Sequence, residues 1–142
     1  MAAQSIPLPT EPPGEIKGLI DKLLGGFNFK DYPLYHSAFS GDVVIVDGMA
    51  PYRWTGPNAQ GRWFADATKW AHDLGFTRQN ITYDKVIRAD VVGTHAYVVL
   101  SAKLSFFTLQ GRANSRLGIL TFTLAKQGDE WKIESQAWSR LS

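Results

Sequence analysis

The chain has 142 residues, 44% of them hydrophobic and 13% aromatic, with five Trp, five Tyr and eight Phe. That length suits one globular domain able to bury roughly two-thirds of its unfolded surface, and the aromatic share suits either a core of large residues or an aromatic-lined cavity. Fifteen Lys and Arg against thirteen Asp and Glu give a net charge of +2 with no basic run, which argues against a nucleic-acid partner; with no cysteine there is no disulfide, thiolate nucleophile or thiolate metal site.

Met1 to Gly14 carries Pro7, Pro9, Pro12 and Pro13, no basic residue and no apolar run. It reads as a flexible Pro-rich lead-in rather than a signal peptide or membrane span. Residues 15–142 then form a single domain, and a cytoplasmic location is the default expectation.

From Glu15 to Leu24 the apolar residues Ile16, Leu19, Ile20, Leu23 and Leu24 follow the i, i+3, i+4, i+7, i+8 spacing of a one-sided helix, which Gly25-Gly26 is expected to stop. A weaker helical segment, Phe27 to Phe39, holds Tyr32, Tyr35 and His36, with Pro33 expected to interrupt it. Ser40-Gly41-Asp42 signals a turn. A strand then opens at Val43, and Val43-Val44-Ile45-Val46 delivers Asp47 to Gly48, just ahead of Tyr52 and Trp54.

Thr55-Gly56-Pro57-Asn58 reads as a turn into a central helix, with Trp63, Ala67, Trp70, Ala71 and Leu74 on one face and Gly75 at its end. Extended segments follow at Asn80–Val92, Thr94–Leu109, Asn114–Lys126 and Trp131–Ser139, separated by glycine-containing turns. Strands grouped after helices define an α+β class. A curved, mixed or antiparallel sheet wrapped as a cone around the N-terminal and central helices leaves an open end where a pocket can form.

This element order resembles the nuclear transport factor 2-like superfamily, which includes ketosteroid isomerases, SnoaL-like polyketide cyclases and scytalone dehydratase. The matching features are the strand ending in Asp47, the Thr55-Gly56 step into the central helix, the Gly111 hairpin and the ending Trp131-Lys132-Ile133-Glu134-Ser135-Gln136-Ala137-Trp138-Ser139. Together they span about residues 15 to 140. The resemblance implies a hydrophobic pocket, and it places Asp47 where ketosteroid isomerases keep a proton-shuttling carboxylate. It does not fix a reaction, because the same cone serves isomerases, dehydratases, cyclases and non-catalytic binders.

The chain departs from the isomerase pattern. Its first helix has no Tyr and no Asp or Glu occurs between Val91 and Gly128, while the His that many SnoaL-like chains place near Ala137 is absent as well, which removes that candidate base. The oxyanion-stabilising pair of a ketosteroid isomerase is therefore missing, with Tyr32 or Tyr35 as the available stand-in for the phenol, and a ketosteroid isomerase is not the expected activity.

Asp47 has two readings. It is a general base in a dry, apolar place, or it caps the turn it precedes by accepting backbone N–H groups. Counting by twos, Val43, Ile45 and Asp47 share a face, which favours a cavity-facing carboxyl with a raised pKa and with Tyr52 and Trp54 nearby. Among the histidines, His36 is the best secondary candidate; His72 reads as solvated and His95 as surface, and their spacing fits no metal motif. Tyr32, Tyr52, Trp54, Trp63 and Arg116 are the candidate ligand-binding residues, with Tyr52 and Trp54 equally able to serve as core and Arg116 as a strand-end cation.

No phosphate loop or nucleophile elbow is present, and no metal or cofactor is expected. The expected function is binding of an apolar cyclic small molecule, with isomerase, cyclase or dehydratase chemistry by proton transfer through Asp47. The alternative is a non-catalytic ligand-binding or dimerisation module. A homodimer is expected, on the argument that alternation in the last strand puts Trp138 on the outer sheet face with Lys132, Glu134 and Gln136.

Overall fold

A computed structural model describes residues 12–141, so most of the expected lead-in, residues 1–11, lies outside the described residues. Helices α1 (Gly14–Asn28) and α2 (Tyr32–Ser37) precede strands β1 (Phe39–Val46) and β2 (Arg53–Trp54). After helix α3 (Ala59–Asp73) come β3 (Thr77–Val92), β4 (His95–Phe107), β5 (Ala113–Gln127) and β6 (Glu130–Arg140).

The six strands form one sheet in the order β2-β1-β6-β5-β4-β3. β1 and β6 run parallel and all other pairs antiparallel, so the sheet is mixed and the fold α+β, as expected. Register shifts along β3 at Thr77/Asn80, Tyr83/Lys85 and Val86/Arg88 bend the long β3–β4 ribbon. Each extra residue adds local twist and curvature, which is what wraps the sheet around the helices.

The core lies between the concave sheet face and the helices. α1 buries Ile16, Leu19, Ile20, Leu23, Leu24 and Phe27 against Val98 and Leu100 of β4, Leu120, Phe122 and Leu124 of β5, Ile133 of β6 and Val43 and Ile45 of β1. Each such side chain contributes about 1.5–3 kcal/mol by leaving water.

Several boundaries differ from the expectation. Gly25-Gly26 does not stop α1, which runs on to Asn28. Gly26 instead lets α2 approach, because a Cβ there would collide with the backbone and Cβ of Tyr35. Pro33 does not interrupt α2; it sits in the first turn, where no helical N–H is lost, and the Asp31 carboxylate caps that end by accepting from the Leu34 N–H at 3.2 Å. Ser40-Gly41-Asp42 is not a turn ahead of the strand but an irregularity within β1, whose register against β6 shifts between Phe39 and Val44.

The face assignment of β6 is also corrected. Ile133 lies opposite Leu124, but Ser135 lies opposite Thr123, so Glu134 is an extra residue in β6. This bulge inverts the alternation, and Gln136 and Trp138 point to the concave side while Ser135 and Ala137 face outward. Trp138 is therefore not the outer-face apolar residue on which the expectation of a dimer was based.

Candidate functional site

β1 ends at Val46, and its last inward position is taken by Asp47. Ile45 and Val43, two and four residues earlier, are buried in the core, so the pleat carries the carboxyl to the same side. Here a cavity of about 180 Å³ opens between α3, the end of α1 and the concave sheet. Phe27, Met49, Trp63, Ile81, Leu104 and Leu120 supply apolar wall, joined by Trp70 and Trp138, while Asp47, Gln79, Gln136, Arg116 and Arg140 bring the polar side chains.

Asp47 both caps its turn and faces the cavity. Its Oδ1 accepts the Met49 N–H at 3.0 Å, and its Oδ2 accepts the Trp63 Nε1–H at 3.0 Å. Trp63 reaches it from the buried face of α3, where the indole also packs against Phe27 and Tyr35. Burial pushes the Asp47 pKa above the usual carboxylate range, against the opposing pull of the Trp63, Met49 and Gly48 N–H groups. Desolvation of the charge outweighs these hydrogen bonds, so the proton affinity moves toward that of an acid–base group. These N–H donors do not exhaust a carboxylate, which offers about four lone-pair sites.

The other expected residues divide. Trp63 and Arg116 line the cavity with Asp47. Arg116 lies half-buried on β5, its guanidinium 5.6 Å from the centre of the buried Phe106 ring, and among the described residues it has no ion-pair partner.

Tyr52 and Trp54 do not line the cavity. Tyr52 is 60% exposed, and only its backbone serves Asp47, its carbonyl accepting the Asp47 N–H at 3.0 Å. Trp54 is 3% exposed and part of the core, donating its Nε1–H to Asp66 Oδ2 at 2.8 Å. The short β2 accounts for this placement: pairing Trp54 with Ile45 turns the indole under α3 and leaves Tyr52 at the bend.

Tyr32 and His36 sit together elsewhere. The Tyr32 hydroxyl is 3.3 Å from His36 Nδ1, which also lies 3.2 Å from Gln60 Nε2, and this group lines an open groove with Asn58 and Lys132 that shares no residue with the Asp47 cavity. His36 is not brought to Asp47.

Sequence reasoning missed Gln136 and Trp138 because the bulge at Glu134 leaves no mark on an alternating pattern. It missed Phe27 because α1 was expected to end before it. Among the described residues no group of three or more His, Cys, Asp or Glu could hold a metal, and no helix is long and apolar enough to cross a membrane.

A mixed, bulged sheet around helices with a carboxyl at the end of its first long strand defines a nuclear transport factor 2-like fold. The chain belongs to the SnoaL-like domain family, whose pattern matches residues 16–141. It is similar in fold to a nuclear transport factor 2-like superfamily protein from Salmonella enterica serovar Typhimurium, with 16% identity and a TM-score of 0.73 over 90% of this chain and 89% of that one. A candidate dehydratase of the same superfamily from Streptomyces avermitilis aligns with 15% identity and a TM-score of 0.75 over 90% of this chain and 95% of that one. A ketosteroid isomerase-like protein from Erwinia carotovora atroseptica aligns with 15% identity and a TM-score of 0.73 over 90% and 95% of the two chains. No curated protein sequence matches the chain.

Proposed function

We propose that this SnoaL-like protein binds an apolar, ring-containing small molecule in the Asp47 cavity and performs proton-transfer chemistry on it, with Asp47 as the acid–base group and no cofactor. The observation that carries this reading is a single carboxyl in a largely apolar wall whose proton affinity is raised by burial. A base so placed can take a proton from carbon beside a carbonyl or from carbon bearing a leaving group, the steps shared by isomerases, cyclases and dehydratases. The cavity volume of about 180 Å³ is comparable with the roughly 150 Å³ cavity that holds one benzene ring, so a ligand of one ring fits it.

The test is to purify the native protein gently, identify a bound molecule by mass spectrometry, and follow its turnover with wild type and Asp47→Asn. Loss of turnover by about 10²–10⁴-fold is expected of a general base. Ligand retained without any turnover by wild type would leave the protein a binder, a reading favoured by the fact that both Asp47 oxygens already accept N–H groups from the protein.

The proposed assembly is a homodimer through the convex sheet face. Tyr97, Val99, Leu117, Ile119 and Ala137 lie on that face, and Tyr97 and Leu117 are exposed.

A further inference from the structure

Gln136 brings to the cavity wall a buried polar atom that no contact among the described residues explains. Its side chain is 6% exposed, and its amide oxygen is buried without a hydrogen-bond partner. Leaving such an acceptor unpaired is costly, a cost that an aliphatic side chain of similar size would avoid. Its surroundings are apolar, for across the sheet Gln136 pairs with Phe122 on one side and Ile45 on the other, both wholly buried. The bulge at Glu134 is what turns the amide inward, and bulges re-aim side chains in this way beside active sites.

We propose that Gln136 is the inner polar anchor of the cavity and that the ligand is a ring carrying a hydroxyl, which hydrogen-bonds to the Gln136 amide once that amide turns to the cavity. This rests on the reading that the cavity holds a ring-containing molecule. The spacing supports it. Gln136 lies beside Ile45 on the neighbouring strand, and Asp47 is two residues further along the same face of β1, so the two residues are one pleat layer and one strand apart, about 8 Å between their Cα positions. One six-membered ring spans that interval, with its hydroxyl at Gln136 and its far carbon beside Asp47. Trp138 follows on the same face of β6 and Leu120 lies opposite it, both in the cavity wall, giving the ring apolar surfaces at the level of Asp47.

The experiment compares phenol with toluene, two rings of nearly equal size that differ in the hydroxyl. Binding to the full-length protein is followed by ligand-observed NMR for wild type, Gln136→Met and Asp47→Asn. One hydrogen bond predicts that the phenol-to-toluene affinity ratio falls by about five- to tenfold in Gln136→Met. The methionine variant keeps the volume and removes an unpaired acceptor, so it is expected to fold at least as stably as wild type, which circular dichroism and a melting curve check.

An unchanged ratio in Gln136→Met would overturn the anchor while leaving the cavity as a ring-binding site. A preference for phenol that vanishes in Asp47→Asn but survives in Gln136→Met would overturn it too, assigning the hydroxyl to the carboxyl. Failure of wild type to bind either ring would overturn both the anchor and the reading on which it rests.

Discussion

The Trp63 indole donates its N–H to Asp47 Oδ2 at 3.0 Å, tying the buried face of α3 to the carboxyl at the end of β1. This bond opposes the effect of burial on the Asp47 pKa. Trp63→Phe keeps an aromatic ring but removes the donor, so the Asp47 pKa is expected to rise further. A ¹³C NMR titration of the carboxyl should show wild type above the ordinary carboxylate range and the variant higher still. A variant value equal to or below wild type would show that the indole does not hold the charged form.

Asp47→Asn tests the linkage between that pKa and stability. The folded chain holds the Asp47 proton at pH values where the unfolded chain has released it. The contribution of Asp47 to stability therefore falls as pH rises from about 4 through the raised folded-state value, and is constant above it. The variant lacks this decline. Its amide accepts only one of the two N–H groups, which offsets part of the gain from removing a buried charge. Its stability at pH 7 is expected within about 1 kcal/mol of wild type, and the difference between the two proteins should shift in favour of the variant as pH rises through that window. Urea unfolding at a series of pH values checks this; a parallel pH dependence in both proteins would contradict it.

Gly118 lies directly beneath the Trp138 indole, where a Cβ would overlap the six-membered part of the ring. Gly118→Ala must displace Trp138 from the cavity wall, at a cost of about 1–3 kcal/mol for overpacking. Loss of ring binding together with a changed tryptophan emission spectrum is expected. Unchanged affinity would mean that the indole is not part of the binding wall.

Asn28, the last residue of α1, acts as a strand partner for β3. Its Nδ2 donates to the Ile81 carbonyl at 2.9 Å and its Oδ1 accepts the Ile81 N–H at 2.7 Å. Ile81 is part of the cavity wall, so Asn28→Ala removes two hydrogen bonds that pin it. A loss of about 1–3 kcal/mol in denaturant unfolding is expected, with faster amide exchange at Ile81.

The proposed dimer is tested by Leu117→Glu on the convex face. Light scattering at tens of micromolar should report a dimer for wild type and a monomer for the variant, because a carboxylate in an apolar interface loses its hydration without a partner. A monomeric wild type would remove the proposal.

Much of the fold was legible in the chain itself. The spacing of Ile16, Leu19, Ile20, Leu23 and Leu24 determined the buried face of α1, Gly75 the end of α3, and the glycine turns the order of strands, because helix and strand periods are local properties. The same alternation carried Asp47 to the inner face of β1. What alternation could not reach was decided by tertiary structure. Gly26 is a contact with α2 rather than a helix stop, because its need for no side chain comes from Tyr35, nine residues away. Trp54 and Tyr52 left the cavity because pairing with β1 faced one into the core and the other to solvent. Gln136 and Trp138 entered it because one extra residue in β6, visible only against the register of β5, turns every later side chain to the opposite face.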